Sequence, residues 1–107
     1  MLFFKKKKKV ECNPIDGGSF RISYVDGDKE IFFAHVPVGS PETDYDDVYI
    51  PKKDGFTFDG WYYDREYTSK VTLTNTSQFP RTPIYDENNC HIGYQNITLY
   101  AKWIKNE

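Results

Sequence analysis

The chain has no run of about 18 apolar residues, the length that a bilayer-spanning helix needs, so it offers no membrane span. Its first apolar patch, Leu2-Phe3-Phe4, precedes the lysines, whereas an export signal places charge first and then about 7 to 15 apolar residues. No export signal is read here. The chain is expected to be either a piece of a larger exported protein or a cytoplasmic one. Cysteine is scarce: Cys12 and Cys90 are the only two, too few for the disulfide framework of a small secreted domain. Two free thiols are the expected state; the other reading is one disulfide closing a long loop, which chain entropy would make worth about 4 kcal/mol. Basic charge is confined as well. The net charge is −2, and setting aside the five residues Lys5 to Lys9 leaves −7 on the rest of the chain. That acidic body repels a phosphate backbone, which excludes sequence-independent nucleic-acid binding.

The chemistry-bearing residues form no recognisable constellation. Cys90 and His91 are adjacent, and neighbours on an extended chain point to opposite faces, so they cannot act together as nucleophile and base. Cys12, Cys90, His91 and His35 contain only one close pair, with no gap between its members, unlike the two short-spaced pairs of a structural zinc site. The acidic turn Asp26, Asp28, Glu30 lacks the glycine at position six and the terminal glutamate of a calcium loop, and reads as solvated turn charge. Gly17-Gly18 lacks the spacing and the Lys-Ser/Thr of a phosphate-binding loop. Asn75-Thr76-Ser77 and Asn96-Ile97-Thr98 match the glycosylation acceptor pattern, which is short enough to arise by chance. No catalytic, cofactor-binding or metal-binding residue is expected, and no cofactor.

What the chain does have is aromatic residues, 18% of the total against 38% hydrophobic overall. Phe, Tyr and Trp bury large areas and can carry a core at this length, which suffices for one domain. Residues 20–25 alternate apolar and polar, Asp26-Gly27-Asp28 turns the chain, and residues 30–36 run back, a hairpin signal. Two registers are open, Ile22 or Tyr24 opposite Ile31, and both keep Phe20, Ile22 and Tyr24 on one face. Ser40-Pro41-Glu42, followed by Asp44, carries helix-start chemistry, and a short helix is expected over residues 41–48, stopped by Pro51. Gly55-Phe56-Thr57-Phe58-Asp59-Gly60-Trp61-Tyr62 and Thr98-Leu99-Tyr100-Ala101-Lys102-Trp103 both repeat with the two-residue period of a half-buried strand. Gly60 marks a bulge that aims Phe58 and Trp61 inward together. Lys70 to Leu73 reads as another short strand. The expected core is Phe20, Ile22, Phe33, Phe56, Phe58, Trp61, Leu99 and Trp103.

These two strings, in this order, resemble the signature of the Listeria–Bacteroides repeat, also called the internalin B-repeat. The likeness covers roughly residues 19–104. It implies an α+β fold: a small, mostly antiparallel sheet with one short helix, β-grasp-like (ubiquitin-like). Residues 1–18 are expected to be a flexible basic lead-in and 19–105 a single domain. An insertion at about 74–95 departs from the family pattern, and a specialised surface is sought there first. The resemblance implies a non-catalytic binding or spacer module of a bacterial surface-associated protein, with an unidentified protein partner and an extracellular or cell-surface location. The alternative is a carbohydrate-binding domain for a cell-surface glycan, in which Tyr62, Tyr63, Tyr67, Tyr85 and Tyr94 form the interaction surface.

Overall fold

The computed structural model describes residues 12, 18–39, 41 and 44–107. Apart from Cys12 and Gly18, the basic lead-in expected over residues 1–18 lies outside the described residues.

Six strands form two sheets: β1 (Ser19–Asp26), β2 (Lys29–Pro37), β3 (Phe56–Tyr62) and β6 (Ile97–Lys105) in the order β2-β1-β6-β3, and β4 (Pro83–Tyr85) with β5 (His91–Tyr94) as a separate hairpin. The central pair, β1 and β6, runs parallel, while β2 and β3 flank it antiparallel. The two signature strings therefore become neighbouring strands, with Phe58 opposite Trp103 and Trp61 opposite Ala101. The register slips between Phe58 and Gly60; Asp59 is extruded, so Trp61 is buried and Phe58 half-buried on the same side. The two indoles meet through the Phe58 ring, whose centroid lies 5.2 Å from each.

The expected α+β class is not what forms. The described residues contain no α-helix, and apart from the 3-10 turn Thr76–Gln78 the named elements are strands. Residues 42 and 43 of the helix expected over 41–48 lie outside the described residues. Beyond Asp44 the chain is extended. Val48 N donates to Thr74 O and Thr76 N to Asp46 O, both at 2.8 Å, and Asp47 bridges Asn75. These lateral hydrogen bonds replace the internal ones a helix would make, so cap-forming residues in the first turn were outweighed by pairing with a distant segment.

The hairpin takes neither expected register: Ile22 faces Ala34 and Tyr24 faces Phe32. A bulge at Tyr24/Val25 extrudes Ile31 from β2. One extra residue inverts every side chain beyond it, which is why Phe33 is 47% exposed instead of in the core. Phe20, Ile22 and Tyr24 do share the buried face. Phe56 is likewise exposed, beneath the Lys53 ammonium, and Trp103 is half-buried, its indole N–H without an acceptor among the described residues. The core comprises Phe20, Ile22, Trp61 and Leu99, as expected, joined by Tyr24, Val36, Val71, Phe79 and Ala101. Residues 70–73 form no regular strand; Lys70 bridges Tyr62, and Val71 N donates to Trp61 O, which carries Val71 into the core.

Gly60 sits at φ +145°, a conformation side-chain-bearing L-residues rarely adopt, and a Cβ there would meet Lys70 Cε at 2.8 Å. The lysine end can swing away, so backbone strain decides the outcome. Gly60→Ala is expected to destabilise the domain by about 1–3 kcal/mol, measured by chemical denaturation; an unchanged midpoint would show that the bulge does not need glycine.

Candidate functional site

The five tyrosines singled out by the sequence are dispersed. Tyr62 is buried on the sheet face opposite the core, its hydroxyl donating to Asp59 Oδ2 at 2.7 Å. Tyr67 stands beside it, ring centroids 5.3 Å apart, and is itself 40% exposed. Tyr63 borders a separate hollow with Pro80, Gln95 and Thr98. Tyr85 and Tyr94 flank His91 on the β4–β5 hairpin, at 5.7 and 4.7 Å, and Tyr94 packs against the core. The structure thus joins Tyr62 to Tyr67, and Tyr85 to Tyr94 through His91.

The Tyr62–Tyr67 pair is the most built of these groups. Tyr67 is held at φ +58°, an uncommon state for a bulky residue. The preceding Asp64 carboxylate holds the loop in shape by accepting from Thr68 N, Thr68 Oγ1 and Ser69 N. Lys102 Nζ lies 5.6 and 5.7 Å from the Tyr62 and Tyr67 ring centres, and the Arg65 guanidinium 4.9 Å from that of Tyr100. Cations over ring faces attract them by the ring quadrupole, and the patch presents both an aromatic edge and positive charge.

Sequence reasoning missed an open, mainly apolar groove of about 490 Å³ lined by Val48, Ile50, Phe58, Trp61, Val71 and Leu73. Ile50 is 72% exposed at its rim. The groove exists because residues 44–50 cross the sheet as extended chain, and no periodicity in that stretch announced it.

The 74–95 insertion is built into the domain. Asn75 and Gln78 form a reciprocal capping box around the 3-10 turn, Phe79 plunges into the core, and Arg81 ties back to Ser77 O and Phe79 O. Asp86 accepts from Asn88 N and Cys90 N, shaping the β4–β5 turn. Against the expectation of free thiols, Cys90 is bonded to Cys12, 78 residues away. Its sulfur is therefore no thiolate nucleophile, and His91 turns instead to Gly93 O at 2.8 Å.

With this geometry in hand, the class is a small disulfide-bonded all-β domain with a mixed four-stranded sheet and an ordered hairpin insertion. The family model of the Listeria-Bacteroides repeat domain matches residues 20–102, and the chain belongs to that family. Comparison with curated proteins gives no match.

Three carboxyls are held below their ordinary range: Asp59 by the Tyr62 hydroxyl and then by Lys70 and Lys102, Asp64 by Thr68 and the loop amides, and Glu30 by Arg21 and Ser23. Each therefore takes up its proton more readily in the unfolded chain. Their contribution is in place above the ordinary carboxylate range near about pH 4 and is lost as pH falls through the lower folded values. Tyr62, raised by its bond to Asp59, and Tyr24, raised by burial, act at the other end; stability falls as pH climbs above about 10, where unfolded tyrosines ionise. Denaturation midpoints across pH should trace this dome, and Asp64→Asn should lower the neutral-pH midpoint while flattening the acid limb. An Asp64→Asn limb as steep as the parent's would remove Asp64 from the account.

Reduction of the Cys12–Cys90 bond, or Cys90→Ser, should lower the unfolding free energy by about 4.5 kcal/mol, the chain-entropy value for a closed loop of this length. Thermal unfolding with and without reductant measures it.

Proposed function

We propose that this domain is a non-catalytic module of a bacterial surface-associated protein, acting as a spacer and a protein-binding element outside the reducing cytoplasm. The observation that carries this reading is the Cys12–Cys90 disulfide within a repeat-family fold, because structural disulfides persist in oxidising compartments and are rare where thiols are kept reduced. The disposition of the tyrosines adds support. The sugar-binding alternative joins all five tyrosines in one stacking platform, whereas Tyr63 stands apart from both the Tyr62–Tyr67 pair and the Tyr85–Tyr94 pair. The open apolar groove and the exposed aromatic groups suit protein contact better.

The compartment is tested in the native bacterium by treating intact cells with a thiol-alkylating reagent before and after reduction. Cys12 and Cys90 should label only after reduction; labelling beforehand would place the protein in a reducing compartment and remove the main support. Recognition is tested by binding of the oxidised protein to cell surfaces pretreated with protease or with glycosidases. Loss after protease is the expected result, and loss confined to glycosidase treatment would favour the sugar-binding alternative.

A further inference from the structure

The two edges of the four-stranded sheet are finished differently. At the C-terminal end of β3, residues 69–71 cover the outer side: Tyr63 N donates to Ser69 O at 2.9 Å and Val71 N to Trp61 O at 2.8 Å, with Lys70 bridged to Tyr62. Along β2, no described residue pairs with the outer side of Phe32 to Val36. Exposed edges template pairing with another strand, and folded proteins ordinarily blunt them with lysine, proline or a bulge. The stretch Phe32-Phe33-Ala34-His35-Val36 has none of these. Its bulge lies behind it, towards the hairpin turn, and its proline, Pro37, lies beyond its far end. Phe32 and Phe33 project from opposite faces, 45% and 47% exposed.

We propose that β2 pairs antiparallel with β2 of a second copy of this chain, joining two sheets into one of eight strands. The choice of occupant follows from the side chains themselves. A two-fold axis at Ala34 sets Ala34 against Ala34, Phe33 against His35 and Phe32 against Val36 of the second copy, and this alignment keeps core-side residues opposite core-side residues. Every facing pair is apolar or aromatic, the small residue lies on the axis, and like charges do not meet. Within one chain Phe33 and His35 already pack edge to face at 5.6 Å, so dimerisation extends a two-ring cluster to four. The adjacent cation is neutralised beforehand: Arg21 lies 3.9 Å from the Phe33 ring centre and is held by both Glu30 oxygens at 2.7 and 2.8 Å. The self-match is complete without a foreign sequence, which is the argument for a second copy over an unrelated extended peptide. The inference goes beyond the surface-module reading and does not depend on compartment, so either can fail alone.

Sedimentation equilibrium of the full oxidised chain, from low micromolar to several hundred micromolar, should show a monomer–dimer equilibrium. Amide exchange within Phe32–Val36 should slow as concentration rises. Phe33→Lys alters an exposed residue and places two lysines at the interface; it should raise the dissociation constant at least about tenfold, the scale of losing a central interface aromatic. Ile92→Lys, on the exposed hairpin, should leave dimerisation unchanged. The proposal is overturned by a monomer at every concentration, by a dimer indifferent to Phe33→Lys, by one that dissociates with Ile92→Lys, or by β2 amide exchange independent of concentration. A folded control is confirmed for each variant by its near-ultraviolet circular dichroism.

Discussion

The indole N–H of Trp61 donates to the carbonyl of Tyr49 at 2.6 Å, and the rest of the domain is arranged to make that contact available. An extended segment laid over a core has no internal hydrogen bonds and must find partners for its backbone elsewhere. Residues 44–50 find them in Trp61, in the Tyr24 hydroxyl that accepts from Tyr49 N at 3.4 Å, and in the pairing with residues 74–76. Trp61 and Tyr24 thus have two tasks. Their rings fill the interior, with centroids 4.9 Å apart, and their polar atoms satisfy the strap that closes it. Aromatic residues with a polar handle are suited to this position in a way leucine is not, which gives an aromatic-rich, aliphatic-poor composition a structural reason.

The same contact explains why the insertion is ordered. The strap cannot be held from one side alone, and its outer partners, Thr74 O and Thr76 N, are the first residues of that insertion. Once the capping box fixes the turn at Thr76–Gln78, Phe79 is delivered to the core and the chain is led out to the β4–β5 hairpin. The disulfide from Cys90 then fastens Cys12 to this hairpin. Each step uses a local device, whether a cap, a buried ring or a covalent bond, to fix a segment that has little strand character of its own.

Strand positions were readable wherever the two-residue period was intact. Phe20, Ile22 and Leu99 follow from alternation alone, and Trp61 from alternation corrected by the bulge that Gly60 announced, because a glycine inside an aromatic strand has few other reasons to be there. The second bulge carried no such mark. Ile31 is extruded from a run of residues all suited to a strand, so the inversion that exposes Phe33 was invisible. The absent helix was illegible for a different reason: Ser40-Pro41-Glu42 satisfies the local rules for a helix start, and only a partner some 28 residues away, Asn75 opposite Asp47, overrides them. Pairing of Cys12 with Cys90 likewise depended on long-range approach, 5.2 Å between Cα atoms, which spacing cannot reveal. As for the candidate site, the tyrosines could be named from the sequence but not grouped, because grouping is set by which face of which strand each occupies.

The contrast between the sheet's edges is a consequence of the strap as well. The crossing segment takes residues 74–76 as its lateral partner, and the stretch just before them, residues 69–71, lies alongside Trp61 to Tyr63 and covers that end of β3. Among the described residues nothing comparable lies along β2. Its hairpin turn places it at the sheet boundary, the end strand of the order β2-β1-β6-β3. A helix over residues 41–48 would have satisfied its own backbone and left 69–76 free to sit elsewhere; an extended strap commits them to one edge. The open edge at Phe32–Val36 is therefore written into the way the core is closed, and any partner that recognises backbone rather than side-chain charge meets the domain there first.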